Sequence, residues 1–196
     1  MTDAWNHPSI GSFARKGSAF SATLTIPAFQ RFSYDTGYSN APRSVGKVEL
    51  SFGPWLTNEK LPEPTPEMVK IAQKILADPD KFVDAVAQGF WDEINGRGPT
   101  NGYWWHDNLD AVSDGFLNAG LPKPEKPQGV LPGLQLTAIH IFPHIEEYPH
   151  PIAYLEFHAA FEEEHGVCVL SDGEKVLGTA YSGEPAIAGA VDREHD

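Results

Sequence analysis

Alternation of apolar and polar positions is the clearest pattern at both ends of the chain. In residues 19–26, for example, Phe20, Ala22 and Leu24 alternate with serine and threonine. A period of two is typical of strands that bury one face, and short runs rich in β-branched and aromatic residues favour strands as well. The segments with these features, which we predict to be strands, are 19–26, 47–52, 134–142, 155–161, 167–170 and 175–179.

The alternation breaks at residues 162–166, which we interpret as a turn. Three consecutive glutamates there are followed by His165 and Gly166, and glycine is free to adopt positive φ at the end of a turn. Asp172 and Gly173 form a hairpin signal a few residues later. We therefore expect residues 155–179 to form three consecutive antiparallel strands.

In the middle of the chain the apolar spacing changes from two to 3.6, which predicts amphipathic helices. Thr65-Pro66 and Asp78-Pro79 each place a capping residue before a proline, a typical helix start. A third helix is expected to start near Asp107 and to stop at Gly120. Its predicted buried side consists of Leu109, Val112, Phe116 and Leu117.

The order of these elements predicts the fold class. Strands, then helices, then strands, without a βαβ rhythm, indicate an α+β fold. We expect an antiparallel sheet built from the N-terminal and C-terminal strands, with about three helices packed on one face. Residues 13–181 are predicted to form a single domain, between a loose N-terminus at 1–12 and a frayed tail at 182–196.

Charge narrows the range of partners. The net charge is −13, and residues 51–196 carry 9 basic and 24 acidic groups, a balance of −15. Such a field repels phosphate backbones and favours a basic protein partner, so nucleic-acid binding is not expected. The alternative is that the acidity serves only solubility.

The sequence also bears on compartment and redox state. No apolar run is long enough to span a membrane, and the first residues lack the pattern of a secretory signal. The single Cys168 lies in an apolar run, which favours a small buried side chain and excludes an intrachain disulfide. We expect a cytoplasmic protein with no membrane association.

Histidines are concentrated between His140 and His165, where five of the eight occur among several glutamates. Imidazole and carboxylate groups are zinc ligands, so a metal-dependent enzyme is an alternative hypothesis, with His158 and His165 as its ligands. The spacing lacks His-Glu-x-x-His and paired cysteines, and His165 also suits a local role in the predicted turn. We therefore expect no cofactor.

Signatures of common enzymes are missing as well. The chain has no phosphate-binding glycine loop, no dinucleotide-binding motif and no Gly-x-Ser-x-Gly. The run Glu162-Glu163-Glu164 does not place two carboxylates side by side, because neighbouring side chains on extended backbone point in opposite directions. Cys168 lacks the exposed, electropositive setting of a nucleophile.

A cluster of aromatic residues before the third helix is the best candidate for a binding surface. Tyr103, Trp104 and Trp105 are consecutive, and three large rings cannot all face one core. Tyrosine and tryptophan are enriched at interface hot spots. The alternative is that at least two of these rings fill the seam between helices and sheet. The predicted partner-binding residues are Tyr103, Trp104, Trp105, Asp107, Asp110 and Asp114.

The C-terminal region resembles a loosely characterised bacterial domain family. The resemblance rests on residues 157–178, in which Glu164-His165-Gly166 precedes an apolar strand, Asp172-Gly173 and a closing strand that ends in Gly178. Members of that family occur among immunity proteins of polymorphic toxin systems. The resemblance implies a non-catalytic α+β protein that binds and occludes a cognate toxin, and it carries over no catalytic residues. A ligand-sensing or structural module is a further alternative.

Overall fold

The computed structural model describes residues 4–36, 46–54, 63–98, 103–145 and 148–183. Eight strands in this part of the chain form a single sheet whose spatial order follows the sequence. The strands are β1 (Ala4–His7), β2 (Gly11–Lys16), β3 (Ala19–Thr25), β4 (Lys47–Phe52), β5 (Leu134–Phe142), β6 (Ile152–Ala159), β7 (Glu162–Ser171) and β8 (Val176–Tyr181). The helices described are α1 (Pro66–Ala77), α2 (Pro79–Ile94) and α3 (Leu109–Asn118), with two short 3-10 helices at Pro27–Arg31 and Pro127–Gly133.

The predicted α+β class is confirmed, although the sheet is larger than expected and is not wholly antiparallel. Neighbouring strands pair antiparallel except β4 and β5, which are parallel. Two adjacent parallel strands need a crossover connection, and the segment between β4 and β5 contains all three α-helices. The sheet therefore joins its N-terminal and C-terminal strands through a helical crossover.

Apolar side chains form two clusters, one on each face of the sheet. The larger cluster joins the buried sides of the helices to residues such as Phe20, Leu50 and Phe157. The smaller cluster, which includes Phe142 and Tyr154, contains no residue of the three α-helices. One face of the sheet is thus covered by helices, and we refer to the other as the open face.

Helix starts agree with the capping signals, but α3 differs from its prediction. The Thr65 hydroxyl accepts a hydrogen bond from the Met68 backbone N–H at 3.4 Å, and Asp78 accepts one from Lys81 N–H at 3.1 Å. Helix α3 begins at Leu109 instead of Asp107, which has a positive φ of 51°. Leu117, expected to be buried, is 58% exposed.

The N-terminal twelve residues are more ordered than the predicted loose segment. Strand β1 and the start of β2 lie within them. Trp5 explains why this hairpin is attached, because its ring lies 5.5 Å from the ring centroids of both Phe13 and Phe52. At the other end of the chain, Ser182 and Gly183 form a turn, and the remainder of the predicted frayed tail lies outside the described residues.

The predicted turn at residues 162–166 is wrong, since Glu162 already begins β7 and the reversal occurs at residues 160–161. A polar run can continue a strand here because Glu162 is buried and accepts hydrogen bonds from Trp104 Nε1 and the His165 backbone N–H. The positive φ inferred for Gly166 is confirmed at 68°. The glycine lies beside a β-bulge in the β6–β7 pairing.

Within the described parts of the chain, no helix combines the length and apolar character that crossing a bilayer requires.

Candidate functional site

The three consecutive aromatic residues before α3 lie in different environments. Trp105 is fully buried, and its indole Nε1 donates a hydrogen bond to Thr179 Oγ1 at 3.2 Å. Tyr103 is partly buried and stacks on Trp105 with ring centroids 4.9 Å apart. Trp105 is therefore a core residue, which corrects its assignment to the partner-binding set.

Trp104 alone of the three is exposed, with 36% of its surface accessible. Its Nε1 donates a 2.8 Å hydrogen bond to the Glu162 carboxylate. The rings of Trp105 and Phe161 contact it edge to face, with centroids 5.9 and 6.1 Å away. These contacts fix the orientation of the indole while part of it remains open to solvent.

The outward side of α3, which follows Trp104 closely along the chain, presents further exposed side chains. Asp110, Asp114 and Leu117 follow one another at i, i+4 and i+7, the spacing of one helical stripe, and all three are exposed. The Asn108 side chain donates to the carbonyl of Trp104 at 2.9 Å and so links the indole segment to the start of the helix. We define the α3 surface as Trp104, Asp107, Asp110, Asp114 and Leu117.

Exposed apolar side chains distinguish the α3 surface from the rest of the described chain, and its carboxylates are accessible as well. Trp104 and Leu117 are the only large apolar side chains that are exposed in that part. Asp110 pairs with Lys123 at 3.2 Å, but both side chains are well exposed, at 95% and 47%, so the pair adds little to stability. The surface thus presents apolar contact area and carboxylates that a partner can reach.

The histidine-rich region does not assemble a metal centre in the described residues, where no three His, Cys, Asp or Glu side chains are close enough to share an ion. His158 is exposed on β6. The imidazole of His165 on β7 is 57% exposed and lies 3.1 Å from Glu162 Oε1. Its neighbours therefore include the carboxylate that also binds Trp104.

A second arrangement of polar side chains lies on the open face of the sheet. Ser51 on β4, His140 on β5 and Glu156 on β6 occupy three neighbouring strands. Ser51 Oγ lies 2.6 Å from His140 Nδ1, and His140 Nε2 lies 3.6 Å from Glu156 Oε2. Ser21 on β3 is the cross-strand partner of Ser51, so it extends the same row.

This row borders a cavity of about 350 Å³, a size suited to a small molecule. Phe142 and the ring of Tyr154 supply apolar lining, and the ion pair between Lys16 and Glu49 borders it. Ser21 is only 3% exposed, and its hydroxyl has no hydrogen-bond partner in the described part of the chain.

Burial and neighbouring side chains determine the protonation states of Glu156, Tyr154 and Cys168 near this cavity. The neighbouring His140 imidazole, whose Nε2 lies 3.6 Å from Glu156 Oε2, lowers the pKa of Glu156 against the opposing effect of burial, and His158 lowers it further. Burial raises the pKa of Tyr154, and it raises the pKa of Cys168 to about 12. The phenol and thiol therefore stay protonated at neutral pH, whereas Glu156 is ionised.

The lowered pKa of Glu156 predicts a pH-dependent contribution to stability. At pH 7, Glu156→Gln should lower the free energy of unfolding by at most about 1 kcal/mol, because the side chain is 37% exposed. A carboxylate with a lowered folded-state pKa stabilises above its unfolded pKa and loses that effect as the pH falls through the folded value. Urea unfolding should therefore show the two proteins converging below the ordinary glutamate pKa of 4.5. A difference that grows on acidification would contradict this assignment.

Sequence reasoning missed the row on the open face. Ser51 and His140 are 89 positions apart, and only the parallel register of β4 and β5 makes them neighbours. A usable signal was present, because Ser21, Ser51 and His140 are polar positions that alternate with apolar residues destined for the helix-covered face.

Comparison of the chain with protein-family models, with curated proteins and with solved structures finds no significant match. The fold is that of an α+β protein with one mostly antiparallel sheet.

Proposed function

We propose that this chain is an acidic cytoplasmic binding protein of the immunity type, which occludes a cognate bacterial toxin through the α3 surface. The observation that carries the proposal is the combination of exposed Trp104 and Leu117 with three exposed aspartates on and beside one helix. Aromatic anchors ringed by polar groups are typical of protein interfaces, and tryptophan is among the residues most enriched at hot spots.

The orientation of Trp104 supports a role as an anchor. A side chain that is already held by Glu162 and by two neighbouring rings loses little conformational entropy when a partner covers it. Leu117 lies seven residues beyond Asp110, roughly 10 Å along the helix axis at 1.5 Å per residue. Leu117 thus lies near the C-terminal end of α3, whereas the Trp104 segment is linked to its N-terminal end through Asn108.

Charge complementarity specifies the partner. The chain has a net charge of −13, and Asp107, Asp110 and Asp114 place part of that charge on the proposed interface. A basic protein would be steered toward this surface, and a phosphate backbone would be repelled. Acidic character and the resemblance of residues 157–178 to immunity-associated domains both favour a basic toxin over a nucleic acid.

The test is co-expression and pull-down with the proteins encoded next to this gene, followed by binding kinetics for any partner found. For Trp104→Ala we expect dissociation to accelerate about 30-fold, equivalent to about 2 kcal/mol, because the anchor is lost. The double variant Asp110→Asn with Asp114→Asn should mainly slow association, and the wild-type rate should fall steeply as salt rises.

A matched control is available at the N-terminal end of α1. Glu63→Gln with Glu67→Gln removes the same two charges from exposed positions at the start of a different helix and should change association much less. If the two double variants slowed association equally, the association rate would depend on the overall charge of the protein and not on the charge of the α3 surface. Unchanged dissociation in Trp104→Ala, or association that ignores salt, would overturn the assignment of the α3 surface.

A further inference from the structure

We propose that Ser51 is an activated nucleophile in a second site, on the open face of the sheet, which hydrolyses small acyl esters. Ser51, His140 and Glu156 form a chain of polar groups that borders the cavity of about 350 Å³. None of the residues of the α3 surface lines this cavity, so the inference does not depend on the proposed toxin-binding role.

The partners of His140 determine which ring nitrogen carries the proton. Nε2 faces the ionised Glu156 carboxylate, which can only accept a hydrogen bond, so the proton is assigned to Nε2. Nδ1 is then left with a lone pair directed at Ser51 Oγ at 2.6 Å. This arrangement allows the imidazole to act as a general base toward the serine hydroxyl, with Glu156 as a positioning residue.

Ser21 supplies the remaining element of the site. Its hydroxyl is buried beside Ser51, lines the cavity and has no partner in the described part of the chain. A buried hydroxyl without a hydrogen bond costs free energy, which a ligand oxygen at this position would relieve. We assign Ser21 as the donor to the oxyanion that forms when an ester is attacked.

The reaction then proceeds in two steps, acylation of Ser51 and hydrolysis of the acyl group. As Ser51 Oγ bonds to the ester carbonyl carbon, its proton passes to His140 Nδ1 and the carbonyl electrons move to the oxygen facing Ser21. Collapse of this intermediate breaks the bond to the alcohol, which leaves with the proton from Nδ1. In the second step water gives a proton to His140 Nδ1 as it attacks the acyl carbon. The bond from that carbon to Ser51 Oγ then breaks, Oγ takes back the proton from Nδ1, and the carboxylic acid is released.

Size and lining define the substrate class. The volume suits a short acyl group with a small alcohol, and Phe142 with the ring of Tyr154 offers an apolar wall for it. Lys16 and Glu49 form an ion pair in the lining, so the Glu156 carboxylate is the charge that favours an uncharged ester over an anionic one. The probes are therefore p-nitrophenyl acetate and an alkyl fluorophosphonate, which Ser51 would attack at phosphorus with loss of fluoride.

The primary experiment uses the wild-type full chain and so does not depend on the folding of a variant. After incubation with the fluorophosphonate, peptide mapping by mass spectrometry should find the label on Ser51. Ester hydrolysis should be blocked in proportion to labelling. A protein that remains unlabelled at Ser51, or is labelled equally at other serines, would overturn the inference.

Single substitutions then distinguish the roles proposed for the residues of this site. Ser51→Ala should abolish labelling, and His140→Asn should slow it by about 100-fold or more, as expected for loss of a general base. Glu156→Gln should slow it about tenfold while Glu156→Asp restores part of the rate, which a purely structural role would not produce. Ser21→Ala should slow ester hydrolysis at least about tenfold.

Ser113→Ala is the matched control, because Ser113 is also buried but donates to the carbonyl of Leu109 within α3. It should leave labelling unchanged. A labelling rate in His140→Asn equal to that of wild type would show that Ser51 is not activated by the imidazole. Loss of toxin binding in α3 variants with labelling intact, or the reverse, would distinguish failure of one site from failure of the other.

Discussion

Replacing Trp105 with alanine is expected to lower the free energy of unfolding by about 3 to 5 kcal/mol, the range for removing a buried aromatic side chain. Trp105 is fully buried, is stacked on Tyr103 and contacts Tyr181 edge to face at 5.0 Å. The variant also loses the hydrogen bond to Thr179 on β8. Chemical denaturation followed by circular dichroism measures this change.

Leu117→Ala is the comparison for this prediction. Leu117 is 58% exposed, so truncation there should change stability by no more than about 0.5 kcal/mol. If Trp105→Ala cost less than about 1 kcal/mol, the ring would not be part of the core. Trp105 would then return to the set of possible partner contacts, and the corrected α3 surface would need to include it.

Secondary structure was predictable where the apolar period was regular and its ends were marked. Helices α1 and α2 follow Thr65-Pro66 and Asp78-Pro79, and both caps form the expected side-chain hydrogen bonds. The sequences of β3 and β4 alternate because one set of their side chains, such as Phe20, Val48 and Leu50, packs into the larger apolar cluster with the helices. Local propensity and tertiary environment agree in these segments, so the pattern was sufficient.

Predictions failed where a distant partner changed the meaning of a local pattern. Three consecutive glutamates indicated a turn, but Glu162 is buried because Trp104, 58 positions earlier in the chain, donates to it. Leu117 extended the apolar pattern of α3, but a ten-residue helix buries only a narrow stripe, and Leu117 lies outside it. Neither outcome can be read from the local sequence.

The two proposed sites differed in how far the sequence could define them. The α3 surface comes from one contiguous segment, so the candidates Trp104, Asp110 and Asp114 could be named from the sequence. Only the structure shows which of the neighbouring side chains are exposed and which are buried. The row on the open face depends on strand register, and the parallel β4–β5 pairing was not foreseen. A shift of one residue in that pairing would place Ser51 and His140 on opposite faces of the sheet.

Gly166→Val is expected to lower the free energy of unfolding by roughly 2 to 4 kcal/mol. The glycine has a φ of 68°, a region that costs a β-branched residue about 1 to 3 kcal/mol. A Cβ added there would also lie 2.6 Å from the backbone oxygen of Phe157, so the β6–β7 pairing must shift to accommodate it. Overpacking of this kind costs about 1 kcal/mol or more in addition.

Gly17→Val separates the cost of backbone strain from the cost of steric overlap. Gly17 has a similar φ of 61°, but a Cβ added there meets nothing within 4 Å, so only the backbone strain applies. In thermal unfolding, the melting temperature of Gly166→Val should therefore be lower than that of Gly17→Val, and both should be lower than that of the wild type. Equal melting temperatures for the two variants would show that β6 and β7 do not approach as closely at the bulge as the structure indicates. An unchanged melting temperature in both would contradict the left-handed backbone at these positions.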